Sequence, residues 1–216
     1  VPTSGILYNY HAKKIEFIID WVIHNLPVDS TRIYMTGFSM GAKGSLFSSI
    51  MLREKIAAIF IYDPVFDIAG FLVGRDFMEQ LWGSYQTNLL TNEGYTRNQR
   101  LNAMYLLSDK RLNSLPVMYT FSGKLSEGWP EKPSVYDTIQ TTKHGGFHFW
   151  GPRDHWGTFA SSPWVTSFPN FSFFTRYRTN LSYPAFSNCS IDYDPGNGNP
   201  SSGDALGSIN GHLDWG

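Results

Sequence analysis

Near the start of the chain, apolar residues recur at helical spacing. Ile15, Ile18, Ile19, Val22 and Leu26 form one stripe, with Lys13, Lys14 and Glu16 off it. This predicts a helix that Pro27 ends. Asp29-Ser30-Thr31 is turn chemistry, and residues 32–36 read as a strand running into Gly37-Phe38-Ser39-Met40-Gly41-Ala42. A second helix follows to about residue 53, with Leu46, Ile50 and Met51 as its apolar positions. Residues 56–62 are continuously apolar, as in a strand buried on both faces of a parallel sheet. The stretch from 63 to 116 is irregular and predicts helices near 75–82 and 98–107. Residues 116–121 predict a strand, 133–142 a short helix and 146–150 a short strand, after which a Gly-Pro loop leads to Asp154-His155-Trp156. Alternating strands and helices imply right-handed crossovers, so the expected fold is α/β, a mostly parallel sheet with flanking helices.

The pattern breaks near residue 187. Beyond it Gly, Asn, Ser, Asp and Pro dominate, and no Lys or Arg follows Arg178. The division expected is a domain over 1–186 and, over 187–216, an irregular linker without a face to bury, or the start of a further module. Asp192, Asp194 and Asn197 alternate there faintly like a calcium loop, but the full spacing and a closing Glu are missing, which favours a solvated linker. The lone Cys189 lies in the same stretch with no basic group beside it in sequence, so it reads as incidental.

Composition narrows the classes. At 42% hydrophobic and 16% charged residues, the 216-residue chain is not disordered and can bury a full core. Seventeen Lys and Arg against 18 Asp and Glu leave no broad basic surface for nucleic acid or anionic lipid. One Cys excludes an intramolecular disulfide framework and any multi-Cys metal site. No apolar run approaches the ~18 residues of a membrane-spanning helix. Because the chain opens at Val1, a processed or truncated start is expected.

The chemistry centres on Gly37-Phe38-Ser39-Met40-Gly41, a G-x-S-x-G sequence with a predicted strand before it and a helix after it. Such a turn holds its serine strained above the strand ends, and glycines at both flanks would relieve collisions across it. Ala42, Gly44 and Ser45 are small enough for the helix to approach the sheet. Ser39 would sit at a helix N-terminus, where the dipole favours negative charge, and the Met40 backbone N–H would be an oxyanion donor. An inert Gly-Ser turn is the competing reading.

On this motif and the order of elements, residues 10–178 resemble the α/β-hydrolase superfamily. More narrowly they are similar to secreted bacterial esterases of the polyhydroxybutyrate-depolymerase and feruloyl-esterase type. The resemblance implies a histidine in the loop after the last strand, which is His155; Asp154 stands where that family often has Gly. His148 lies within a strand and His144 precedes it. The acid should follow the 117–121 strand, which offers Glu127; Asp63 and Asp67, after the preceding strand, are alternatives, while Asp137 lies on a helix and Asp154 adjoins His155. Phe38, Trp129, Trp150, Trp156 and Trp164 lie near these segments in sequence and would line an apolar cleft, with Trp82 and Tyr85 contributing from a lid-like insertion.

The resemblance implies a serine hydrolase cleaving small-molecule or polymeric carboxylic esters through an acyl-enzyme, with no metal or cofactor, secreted or at a bacterial cell surface. Only 38 residues precede Ser39, too few for the strands that carry the second oxyanion donor. A missing N-terminal segment, from the same protein or another chain, is therefore expected, and activity is expected once it is restored. The alternatives are a non-catalytic binding or adhesion module on the same scaffold and a calcium-dependent accessory domain.

Overall fold

The predicted helix at the start of the chain is α1 (Tyr10–Asn25); the Asn9 side chain caps it by accepting from Ala12 N at 3.1 Å. The computed structural model describes residues 1–71, 75–112, 114–156, 176–184 and 186–211. β1 (Tyr34–Phe38) starts two residues later than the pattern suggests and leads into α2 (Met40–Met51), followed by β2 (Ala58–Tyr62). The predicted helix at 75–82 is α3 (Arg75–Trp82). The one expected near 98–107 is two, α4 (Arg97–Arg100) and α5 (Ala103–Ser108). They separate because the Asn102 side chain caps α5 by accepting from Tyr105 N at 3.0 Å. β3 (Val117–Gly123), a 3-10 turn (Trp129–Glu131), α6 (Lys132–Thr142) and β4 (Gly146–Gly151) complete the alternation.

The sheet order is β1-β2-β3-β4-β5, parallel throughout its first four strands. β5 (Gly207–Ile209) pairs antiparallel with β4, so the C-terminal stretch differs from the expected linker. Trp150 Nε1 donates to Asp204 O at 2.9 Å, Lys124 Nζ donates to Ser202 O and Asp204 O, and Ile209 is buried. Main-chain pairing and capped donors, with Ile209 in the core, hold this segment to the sheet, so its polar composition concealed it. Asp192, Asp194 and Asn197 use side-chain oxygens to accept backbone N–H groups at Asn210, Gly196 and Asn199. Trp164 and residues 212–216 lie outside the described residues.

The two-residue period divides the core cleanly. Ile59, Ile61 and Met118 face the α2, α5 and α6 layer, against Leu46, Ile50, Leu106 and Ile139. Phe60, Tyr119, Phe121, Phe147 and Phe149 face the other way, with Tyr177 against them. Phe121 stacks on Phe149 at 4.9 Å and Tyr119 on Phe147 at 4.6 Å. Much of the aromatic surplus is therefore a cross-strand ladder in the core.

His148, on the helix-facing side of β4, is fully buried, with Nδ1 3.0 Å from Thr120 Oγ1. Burial, reinforced by the Lys132 charge, pushes its pKa down to about 3. A base depressed on folding binds its proton in the unfolded chain first, at about pH 6.5. Its contribution is thus complete above that pH and is lost as pH falls toward 3, at up to ~1.4 kcal/mol per pH unit. Urea unfolding at pH 7 and pH 5 should show this loss, and His148→Gln should reduce it.

Candidate active site

The register explains why the chemistry gathers at one edge. Phe38 is level with Tyr62, Tyr62 with Phe121, and Phe121 with Phe149. β1 and β2 end at this level and β3 and β4 two residues beyond it, and the residues just after the strands meet. Ser39 N donates to Tyr62 O at 3.0 Å and Asp63 N to Phe121 O at 2.7 Å, extending the ladder by one step. Both residues then turn sharply, with φ of 54° at Ser39 and 46° at Asp63. Left-handed conformations at non-glycine residues cost on the order of 1–3 kcal/mol each and concentrate at functional sites.

Gly37 makes the Ser39 turn possible, because a Cβ there would collide with the Gly41 backbone. The expected collision on the other flank is absent: a Cβ on Gly41 meets nothing, and neither does one on Gly44. Ala42 is buried against the sheet, and Ser45 Oγ donates to Thr36 O at 2.9 Å. Gly44→Ala should therefore stabilise the protein by ~1 kcal/mol through helix propensity. Gly37→Ala should lower the melting temperature and disorder the turn; calorimetry on both variants checks the contrast.

Ser39 is the N-cap of α2 but makes no capping hydrogen bond with its side chain. Its Oγ lies 2.8 Å from His155 Nε2 instead. The first turn of α2, from Met40 onward, leaves backbone N–H groups without helical partners beside that oxygen; the first intrahelical bond is Lys43 N to Ser39 O at 3.1 Å. Of the histidines weighed, His155 alone reaches Ser39: His148 is in the core, and His144 Nε2 lies 2.7 Å from Leu107 O.

The carboxylate beside the imidazole is Asp63, not Glu127. Asp63 Oδ2 is 3.7 Å from His155 Nδ1, and Asp63 Oδ1 accepts Gly123 N at 2.8 Å. Glu127 is exposed. Past Gly123 the chain coils, with Ser126 N on Gly123 O and Trp129 N on Ser126 O. This coil aims Ser126 Oγ at His155 Nδ1, 3.3 Å away, and leaves Glu127 at the surface. Asp67, the other alternative, accepts Gly70 N at 2.9 Å within its own turn, and burial raises its pKa. Asp137 and Asp154 are exposed.

Sequence reasoning missed three supports. Arg153 Nη1 lies 2.8 Å from Asp63 Oδ2, with both side chains largely buried. The close approach needs Gly123, where a Cβ would collide with Arg153 O. Ser126 is the second group facing Nδ1. Finally, Glu131 accepts Phe66 N at 2.7 Å and Asp67 N at 3.0 Å, while Lys132 Nζ donates to Pro64 O. Together they pin the loop that leaves Asp63. Local sequence gives no signal for contacts between residues 29 or more apart.

The aromatic residues separate into two groups. Phe38 stacks on His155 at 5.0 Å, and Trp156 meets both rings edge-on. Phe38 is 41% and Trp156 80% exposed, so both can meet a ligand. Trp129 and Trp150, expected in the cleft, are instead core residues at 0% and 2% exposure. Their rings pack 5.9 Å apart under the tail. Trp82 lines a separate cavity beside α2, and Tyr85 lies under the Arg97 guanidinium. A pocket of about 40 Å³ joins Ser39, His155, Asp63, Ser126, Glu127 and Lys43. Burial pushes the Lys43 ammonium down, against the pull of the Glu127 and Glu131 charges.

A five-stranded sheet with this connectivity and helices on its flanks is the α/β-hydrolase fold, and the solved structures it resembles carry it. The chain is similar to an S-formylglutathione hydrolase from Agrobacterium tumefaciens, at 15% identity and a TM-score of 0.53, covering 77% of this chain and 52% of that one. It is also similar to an S-formylglutathione hydrolase from Staphylococcus aureus, at 19% identity and a TM-score of 0.53, covering 67% and 57%. Esterase B from Lactobacillus rhamnosis matches at 15% identity and a TM-score of 0.53, covering 76% and 60%. The chain thus spans about half to three-fifths of these proteins. No protein-family profile matches it, and no curated protein matches it in sequence. No helix among the described residues is long and apolar enough to cross a membrane.

Proposed function

We propose that the chain is the nucleophile-bearing part of a serine hydrolase acting on carboxylic esters. The observation that carries this reading is the 2.8 Å contact between Ser39 Oγ, on a strained strand-to-helix turn, and His155 Nε2. Ser39 Oγ attacks the ester carbonyl as His155 takes its proton; the Met40 backbone N–H is a donor to the developing oxyanion. Collapse of the tetrahedral intermediate breaks the bond to the leaving oxygen, and His155 returns the proton to that oxygen. Water, deprotonated by the same imidazole, then attacks the acyl carbonyl; the bond to Ser39 Oγ breaks, His155 returns the proton to that oxygen, and the acid leaves. Asp63 and Ser126 fix the ring through Nδ1, and Asp63 stabilises the imidazolium. The 3.7 Å separation is one that such sites shorten when substrate binds. Phe38 and Trp156 offer an apolar wall to the substrate.

A fluorophosphonate probe tests this against a non-catalytic binding module. Covalent labelling that disappears in Ser39→Ala supports the hydrolase. An unlabelled protein, or labelling indifferent to that change, supports the module.

A further inference from the structure

Lys43 is one helical turn beyond Ser39 on the same face of α2, its backbone N–H bonded to Ser39 O. Its side chain lines the 40 Å³ pocket that holds Ser39 and His155. It also lines a second, larger cavity of about 620 Å³ between α1, α2 and α3, which includes Ile15, Met35, Phe47, Ile68, Met78 and Trp82. Lys43 therefore stands where the reactive pocket meets an apolar one. It makes no salt bridge or side-chain hydrogen bond with any described residue; its contact is the face of Phe71, 4.8 Å from Nζ. The charges that act on it are Glu127, Glu131 and Lys132. Glu131 is already committed to Phe66, Asp67 and Lys132, and Glu127 is at the surface.

A half-buried ammonium beside a nucleophile, without an ion-pair partner among the described residues, is suited to an anion that arrives with the substrate. We propose that Lys43 is a specificity-determining residue: the preferred ester carries a carboxylate a few bonds from its scissile carbonyl, and Lys43 binds it. Resting on the hydrolase reading, this narrows that reading to anionic esters. Lys43 pairs with the substrate carboxylate while the Met40 N–H is left for the oxyanion.

The test compares kcat/KM for mono-p-nitrophenyl succinate, with its carboxylate on the acyl side, and for 4-acetoxybenzoate, with its carboxylate on the leaving group, against the neutral p-nitrophenyl valerate and phenyl acetate. The anionic-to-neutral ratio for at least one pair should fall ~10-fold or more in Lys43→Met, as for loss of a charge-assisted hydrogen bond. Lys43→Arg should restore much of it, and added salt should erode it in the parent and in Lys43→Arg but not in Lys43→Met. The affected pair shows which side of the ester bears the carboxylate. Ratios unchanged by Lys43→Met overturn the assignment while leaving the hydrolase intact. A fall that Lys43→Arg does not reverse also overturns it, as a packing effect. If none of the esters shows Ser39-dependent turnover, the hydrolase reading fails and takes this inference with it.

Discussion

Ser39→Ala should lower p-nitrophenyl acetate turnover by ~10⁵-fold or more, and His155→Ala by a similar factor, since each removes a group the other needs. The double variant should be little worse than either single one, because a nucleophile without its base and a base without its nucleophile are equally idle. Steady-state kinetics on the three proteins checks this. Near-additive losses would mean that the 2.8 Å contact between Ser39 Oγ and His155 Nε2 is incidental to turnover.

The second large effect separates two carboxylates. Asp63→Asn should lower kcat by ~10⁴-fold, since an amide facing Nδ1 favours the wrong tautomer and cannot stabilise the imidazolium. Glu127→Gln should stay close to the parent on a neutral ester. Arg153 complicates the first substitution, because its guanidinium then faces an amide within a buried pair. Circular dichroism and a melting curve on Asp63→Asn are needed beside the kinetics. A folded Asp63→Asn with parental turnover, or a Glu127→Gln that loses it, would return the acid role to the β3 loop.

Much of this site is legible in the sequence because its physics is local. The turn at Ser39 needs Gly37 two residues before it, a strand behind and a helix ahead, and all of these lie within about 20 residues. His155 is found by its place after the last parallel strand. The carboxylate that faces the imidazole is harder to find, because Asp63 follows β2 whereas His155 follows β4. The main chain of β3 holds Asp63 beside the ring, with Gly123 N–H donating to Asp63 Oδ1, while the following coil exposes Glu127. Trp129 and Trp150 mislead for a related reason. Being close in sequence to a site residue says nothing about which side of the sheet or loop a ring occupies. β5 has almost no signature, since three small or apolar residues in a polar stretch pair through their backbone alone.

Gly37 is required at the turn, but the space beside Gly41 and Gly44 is open. Gly44 lines the 620 Å³ cavity, so openness there serves that cavity rather than the approach of α2 to the sheet.

The most direct test is to look for the covalent intermediate itself. The protein is mixed with p-nitrophenyl acetate, quenched in acid within milliseconds, digested and mapped by mass spectrometry. An acetyl group on the peptide bearing Ser39, appearing with the first p-nitrophenolate released and missing from His155→Ala, is the predicted result. Ester consumed while Ser39 stays unmodified, or acetyl found instead on Lys43, Cys189 or a tyrosine, would contradict it.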